Sequence, residues 1–160
     1  MNKKKTLAMK VLEGKKVDYE SYAYPASIRD AQEVAAALGM PAGRVFKTLL
    51  VPRPQSGKPM LVMIPSDRQL DLKKLARAVK EKKLKMASHR EAERLTGLQV
   101  GGISALALLN RGFDIYLDKT ATAYDWVVIS AGQRGLQIKL AVTDLASITR
   151  SSAVDASRDP

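Results

Sequence analysis

Cysteine is absent from this 160-residue chain, and histidine occurs once, as His89. The first absence excludes disulfides, thiolate-bound metals and a protein thiol nucleophile. The second excludes His-rich zinc sites and makes any Ser-His-acid triad depend on one residue. No run approaches the roughly 20 apolar residues that a membrane span needs. The start, MNKKKTLAMKVLEGKK, has its apolar positions broken by charge, unlike the continuous apolar core of a secretory leader. Phosphate-loop and dinucleotide signatures are missing as well. The expectation is a soluble, cytoplasmic protein with no membrane partner, no cofactor and no metal.

What is present suffices for a core. The chain is 46% hydrophobic and 27% charged, and a chain of this length buries roughly 70% of the surface it exposes when unfolded. One domain is expected over residues 1–150, with a loose polar tail at 151–160. Positive charge dominates: 27 Lys and Arg stand against 16 Asp and Glu, for a net charge of +11. Between Arg68 and Arg94 lie ten basic and four acidic residues, a net +6. Such a run is ordinarily a solvated helix face. Its local concentration equally fits contacts to a polyanion, with Lys73, Lys74, Arg77 and Lys80 as candidate phosphate ligands.

Apolar residues at helical spacing (Leu7, Ala8, Val11, Leu12) predict a helix that Gly14 stops. Residues 17–24 read as a strand ended by Pro25. Ser27 with Asp30 three residues on predicts a capping box opening a helix that closes at Gly39. Residues 45–51 and 60–64 predict a hairpin through the turn-rich segment 52–59. An amphipathic helix is expected over 71–79, and one capped by Ser88 and stopped by Gly97. Residues 113–117, 126–130 and 136–140 predict three short strands, the last two joined by a turn at 131–135. Thr143 is the expected cap of a final helix. Strands paired in hairpins, not alternating strictly with helices, predict an α+β fold: a mixed, mostly antiparallel sheet or barrel with peripheral helices.

Lys47 breaks the local pattern. In a strand it shares a face with Val45, Leu49 and Val51, so an ammonium stands among aliphatic neighbours. Such a lysine either clamps a carbonyl or phosphate oxygen or lies near a strand end and snorkels to water. Gly101-Gly102-Ile103-Ser104 is a loop whose backbone N–H groups can converge on an oxygen, or only a tight turn. Ser130 ends an apolar strand beside a glycine-rich turn with no general base in view. His89, amid Arg90, Glu91 and Glu93, reads as a surface or capping residue. One of Tyr19, Tyr22 and Tyr24 is free to line a pocket.

Four blocks, Phe46-Lys47-Thr48-Leu49-Leu50-Val51, Gln69-Leu70-Asp71-Leu72-Lys73-Lys74, Thr96-Gly97-Leu98-Gln99-Val100-Gly101-Gly102-Ile103-Ser104 and Ser130-Ala131-Gly132-Gln133-Arg134-Gly135-Leu136, occur in the order that resembles the YbaK/EbsC family. That family is similar to the inserted editing domain of bacterial prolyl-tRNA synthetase. The resemblance runs from about Leu7 to Ile148. It implies a curved mixed sheet or barrel surrounded by helices, and removal in trans of a wrongly attached amino acid from a tRNA, typically cysteine from tRNA(Pro). It implies a transient complex with prolyl-tRNA synthetase by analogy. Lys47 would be the central catalytic residue, Gly101, Gly102, Ile103 and Ser104 would hold substrate through their backbone, and Tyr24, Thr48, Ser130 and Gln137 would line the pocket. Cysteine-specific members of the family are thought to use the substrate's own thiol as nucleophile and release a thiolactone, which suits a chain without cysteine.

Two positions depart from the family pattern. Ala105 stands where Pro usually follows Gly-Gly-Ile-Ser, which frees φ there. Gln137 replaces the Asp of cysteine-specific members and cannot carry its negative charge. A deacylase for alanine or serine, and a non-catalytic binder of tRNA or a synthetase, therefore stand as alternatives.

Overall fold

Side-chain caps set most of the helix starts. Thr6 accepts from the Met9 N–H to open α1 (Leu7–Gly14), Asp71 accepts from the Lys74 N–H to open α3 (Leu72–Ala78), and Ser88 accepts from the Glu91 N–H to open α4 (His89–Thr96). Gly97 ends α4 in the left-handed conformation, as its lack of Cβ allows. The computed structural model describes residues 5–55 and 57–160; the lysine-rich residues 1–4, and position 56 inside the turn expected at 52–59, lie outside them. Two caps differ from expectation. Ser27 does not open α2 (Ala31–Leu38): Asp30 does, accepting from the Glu33 N–H, because Asp30 and Glu33 themselves have capping-box spacing. Thr143 does not cap α5 (Val142–Thr149); the preceding strand runs straight into the helix, and the Val142 N–H donates to the Asp125 carbonyl instead.

Nine strands form three sheets among the described residues. β1 (Tyr19–Ala23), β6 (Trp126–Ser130) and β7 (Leu136–Ala141) pair antiparallel in the order β1-β7-β6. β2 (Phe46–Val51), β3 (Met60–Pro65), β5 (Asp114–Asp118) and β8 (Ser152–Val154) pair in the order β2-β3-β5-β8. The β2–β3 hairpin is antiparallel, whereas β3–β5 and β5–β8 are parallel. β4 (Gln69–Leu70) pairs with β9 (Ser157–Arg158). The two larger sheets meet where Val45 bridges Val128. The mixed sheet with peripheral helices is as expected, and the strands do not close into a barrel among the described residues.

Alternation in the hairpin divides the core. Phe46, Leu50, Leu61 and Met63 face a cluster that includes α1 and the β6–β7 pair, while Val51, Met60, Val62 and Ile64 face Leu75 and Ala76 of α3. β3 is buried at all six positions because both faces are covered. Burying one such Leu or Ile side chain contributes about 1.5–3 kcal/mol. β2 is the edge strand of its sheet, partly buried at Lys47, Thr48 and Leu49, and lies beside β6 of the first sheet.

Residues 151–160, expected to be a loose tail, are ordered by pairing. β8 adds to β5, β9 adds to β4, and Ala156 and Ser157 are buried. The anchor is the buried Asp118 carboxylate, which accepts from the Ala156 N–H at 2.9 Å, the Ser157 hydroxyl at 2.9 Å and the Thr120 hydroxyl at 2.6 Å. Arg68 and Lys74 add donors to the Ser157 carbonyl.

Candidate functional site

The strand edge, the α2 entrance and the loops after α3 and α4 enclose a cavity of about 760 Å³. Lys47 and Thr48 of β2, Ser130 of β6, Gln137 of β7 and Gly101 and Ile103 of the glycine loop all line it. Four segments, β2, the glycine loop, β6 and β7, thus bring together six of the residues that the sequence singled out. Tyr24, Gly102 and Ser104 are not part of this lining, though Tyr24 touches it through Gln137.

Lys47 is half-buried, and among the described residues no carboxylate lies within ion-pair distance of it. Burial pulls its ammonium below the usual lysine range, and the more distant Asp30 and Asp67 pull partly back. A cation desolvated without a partner is ready to receive an oxygen bearing negative charge. The local pattern-break seen in the sequence therefore falls at the cavity wall.

The glycine loop owes its shape to the turn beside it. Gly101 has φ +94°, and a Cβ on Gly102 would lie 2.8 Å from the Arg134 nitrogen and 2.9 Å from the Gln133 carbonyl carbon. Only glycine lets the two backbones come this close. Arg134 fastens the contact: its Nε donates to the Val100 carbonyl at 2.7 Å. Glu93 of α4 accepts from the Val100 N–H at 2.8 Å and lies 3.9 Å from the Arg134 guanidinium. The Gly102 N–H is occupied by the Gln99 carbonyl, while those of Gly101 and Ile103 have no acceptor among the described residues. Gly102 contributes close approach, and its neighbours contribute the free donors.

Two buried polar atoms near the cavity lack partners. Gln137 Nε2 donates to the Tyr24 hydroxyl at 3.4 Å, which leaves Gln137 Oε1 without a hydrogen bond, and Ser104 Oγ is likewise unpaired. Unsatisfied buried groups of this kind carry a desolvation penalty that a bound molecule can relieve. Ser130 Oγ accepts from the Gly132 N–H at 3.1 Å and has no base beside it. Ala105, in the position where the resembling family has Pro, is fully buried and starts a 3₁₀ turn, so helical geometry holds the loop's exit.

The basic residues in and just after α3 lie elsewhere. Lys73, Lys74, Arg77 and Lys80 do not line the cavity, and Lys74 donates to Ser157 at 3.0 Å. The sequence reading missed Arg29, Asp30, Met86, Glu93 and Arg134, which do line it, and placed His89 on the surface, where it is exposed at the cavity rim. Arg134 was within reach, since it sits in one of the four matching blocks. Among the described residues no cluster of three or more His, Asp or Glu is placed to hold a metal ion.

Over 147 residues the chain is 40% identical to a candidate Cys-tRNA(Pro)/Cys-tRNA(Cys) deacylase, EbsC, from Enterococcus faecalis, covering 91% of this chain and 88% of that protein. It is 26% identical over 136 residues to a proline–tRNA ligase from Caldicellulosiruptor bescii, where 79% of this chain matches 23% of the longer enzyme. A crystal structure of a candidate trans-editing enzyme for prolyl-tRNA synthetase superposes with a TM-score of 0.78 at 24% identity, over 95% of each chain. Another, of hypothetical protein APE2540, reaches a TM-score of 0.86 at 22% identity, over 95% of this chain and 99% of that one, and shares the fold. The model of the aminoacyl-tRNA editing domain matches residues 25–148, which include every residue placed at the cavity wall. The chain belongs to the aminoacyl-tRNA editing domain family.

Proposed function

We propose that this family member is an aminoacyl-tRNA deacylase acting in trans, and that it removes cysteine from tRNA(Pro). The observation that carries the reading is the cavity lined both by a half-buried Lys47 without an ion-pair partner and by the glycine loop whose Gly101 and Ile103 N–H groups have no acceptor, with no nucleophile paired to a base among the described residues. Such a site supplies charge and position but no attacking atom.

With a cysteinyl ester the substrate brings that atom. Its thiol sulfur attacks its own ester carbonyl carbon, a C–S bond forms, the C–O bond to the terminal ribose breaks, and the thiol proton passes to the ribose oxygen. Water then opens the released thiolactone to cysteine. Lys47 and the Gly101 and Ile103 N–H groups stabilise the oxygen on which negative charge develops, while Thr48, Ser130 and Gln137 bound the space for the amino acid. A cavity of about 760 Å³ admits the aminoacylated 3′ end and not the anticodon. Choice of tRNA(Pro) is accordingly assigned to a transient complex with prolyl-tRNA synthetase. The exposed Lys73, Arg77 and Lys80 are available for phosphates further along the tRNA.

A second reading rests on Gln137. Its free Oε1 suits a hydrogen-bonding side chain as well as a thiol, which favours a serine ester. The separating experiment is deacylation of tRNA(Pro) charged with cysteine, alanine or serine. Faster loss of cysteine supports the proposal, and faster loss of serine or alanine supports the alternative. Loss at the spontaneous rate for all three, with tRNA still bound, identifies a non-catalytic binder.

A further inference from the structure

The segment between α3 and α4 carries an anomaly that the deacylase reading does not use. Met86 is 43% exposed, one of only two large apolar side chains so exposed among the described residues, and it lines the cavity. Around it Lys82, Lys83 and Lys85 are exposed, and only Leu84 is buried, against the α3 side of the core. Leu84 therefore pins the segment, and the Ala87 N–H reaches the Leu50 carbonyl of β2 at 3.4 Å. An apolar thioether exposed at the cavity wall, with exposed lysines one, three and four residues before it in the chain, is poorly explained as core, since it is exposed, or as solvation, since it is apolar.

We propose that Met86 is a platform for the 3′-terminal adenine of the substrate RNA, and that Lys82, Lys83 and Lys85 hold the phosphates leading to it. The inference rests on the deacylase reading for the identity of the RNA. Its chemistry is that of single-strand binding, in which a π-face meets a flat or polarizable side chain and cations follow the backbone. Charge complementarity names the occupant: a polyanion ending in a base fits a methionine flanked by three lysines, and an apolar peptide does not. Met86 is a positioning residue here, acting on binding and not on the reacting atoms.

Binding is the direct test, because it is independent of turnover. A labelled single-stranded 5′-ACCA-3′ RNA, and the same RNA lacking its terminal base, are titrated into the wild-type protein and into Met86→Ala, Met86→Leu and the triple variant Lys82→Ala/Lys83→Ala/Lys85→Ala, with the thermal midpoint of each variant as a check on folding. The proposal expects Met86→Ala to weaken binding of the complete RNA roughly three- to tenfold, to leave the abasic RNA unaffected, and Met86→Leu to restore most of the loss. It expects the triple variant to flatten the salt dependence by about 0.7 per lost phosphate contact. Equal affinity of wild type and Met86→Ala for the complete RNA, or an equal loss for both RNAs, overturns the adenine platform. An unchanged salt slope in the triple variant overturns the phosphate track. Failure of the deacylase reading shows differently, as no turnover of any mischarged tRNA whatever the binding result.

Discussion

Arg134 Nε donates to the Val100 carbonyl at 2.7 Å, joining the 131–135 turn to the loop that precedes Gly101 across 34 residues of sequence. The bond fixes the position of the free N–H groups of Gly101 and Ile103 relative to Lys47, because both lie one to three residues beyond the fastened carbonyl. A charge-assisted bond of this kind is worth about 1.5–3 kcal/mol. Arg134→Ala is therefore expected to lower kcat/KM for the mischarged tRNA about tenfold or more, with circular dichroism unchanged. Steady-state kinetics on the variant check this.

Lys47→Met is expected to abolish deacylation while raising thermal stability at neutral pH. Burial disfavours the charged form, so the folded pKa lies below the unfolded value of about 10.4. At pH below the folded pKa both states hold the proton and the burial penalty on the ammonium is fully present. As pH rises from the folded toward the unfolded pKa, the native state has released its proton while the unfolded state retains it, so the penalty is progressively relieved and stability rises until both states are neutral. Lys47→Met removes that dependence. Activity runs the other way: if the ammonium acts, kcat/KM falls as pH rises through the lowered pKa. A pH–rate profile with its alkaline limb at or above the ordinary lysine value contradicts this.

Gly102→Ala places a Cβ 2.8 Å from a backbone nitrogen that cannot swing aside. Overpacking against backbone costs about 1–3 kcal/mol and displaces the loop. The expected outcome is a lowered thermal midpoint together with loss of turnover, read by calorimetry and by the deacylation assay.

Removing residues 151–160 strips the buried Asp118 carboxylate of the Ala156 N–H and Ser157 hydroxyl. Leaving a buried charge short of donors costs about 3 kcal/mol or more. For a domain of this size that lowers the thermal midpoint by about 6–12 °C. The cavity is built without the tail, so turnover at low temperature is expected to persist, which an assay well below the new midpoint measures.

Much of this was legible in local sequence. Ser88 and Gly97 announce helix ends through chemistry confined to one turn, and Lys47 stands out among aliphatic neighbours in a strand. The second helix start was misplaced because Ser27 and Asp30 are both good caps three residues apart, and only the Glu33 N–H decides between them. The ordered tail was hidden for a different reason. Its strands span three and two residues, too short for periodicity, and its anchor, Asp118, lies 38 and 39 residues from the groups it accepts from. Arg29, Met86 and Glu93 join the cavity through tertiary placement alone, which no local pattern reports.

The central claim is that a partnerless Lys47 and the Gly101–Ile103 backbone catalyse ester loss with a nucleophile the substrate supplies. The most direct measurement compares wild type and Lys47→Ala on tRNA(Pro) charged with cysteine and with its S-methylated form, under single-turnover conditions. The account predicts rapid loss of cysteine by wild type, loss at the spontaneous rate by Lys47→Ala, and no acceleration for the S-methylated ester by either. Equal acceleration of both esters by wild type, or full activity in Lys47→Ala, contradicts it.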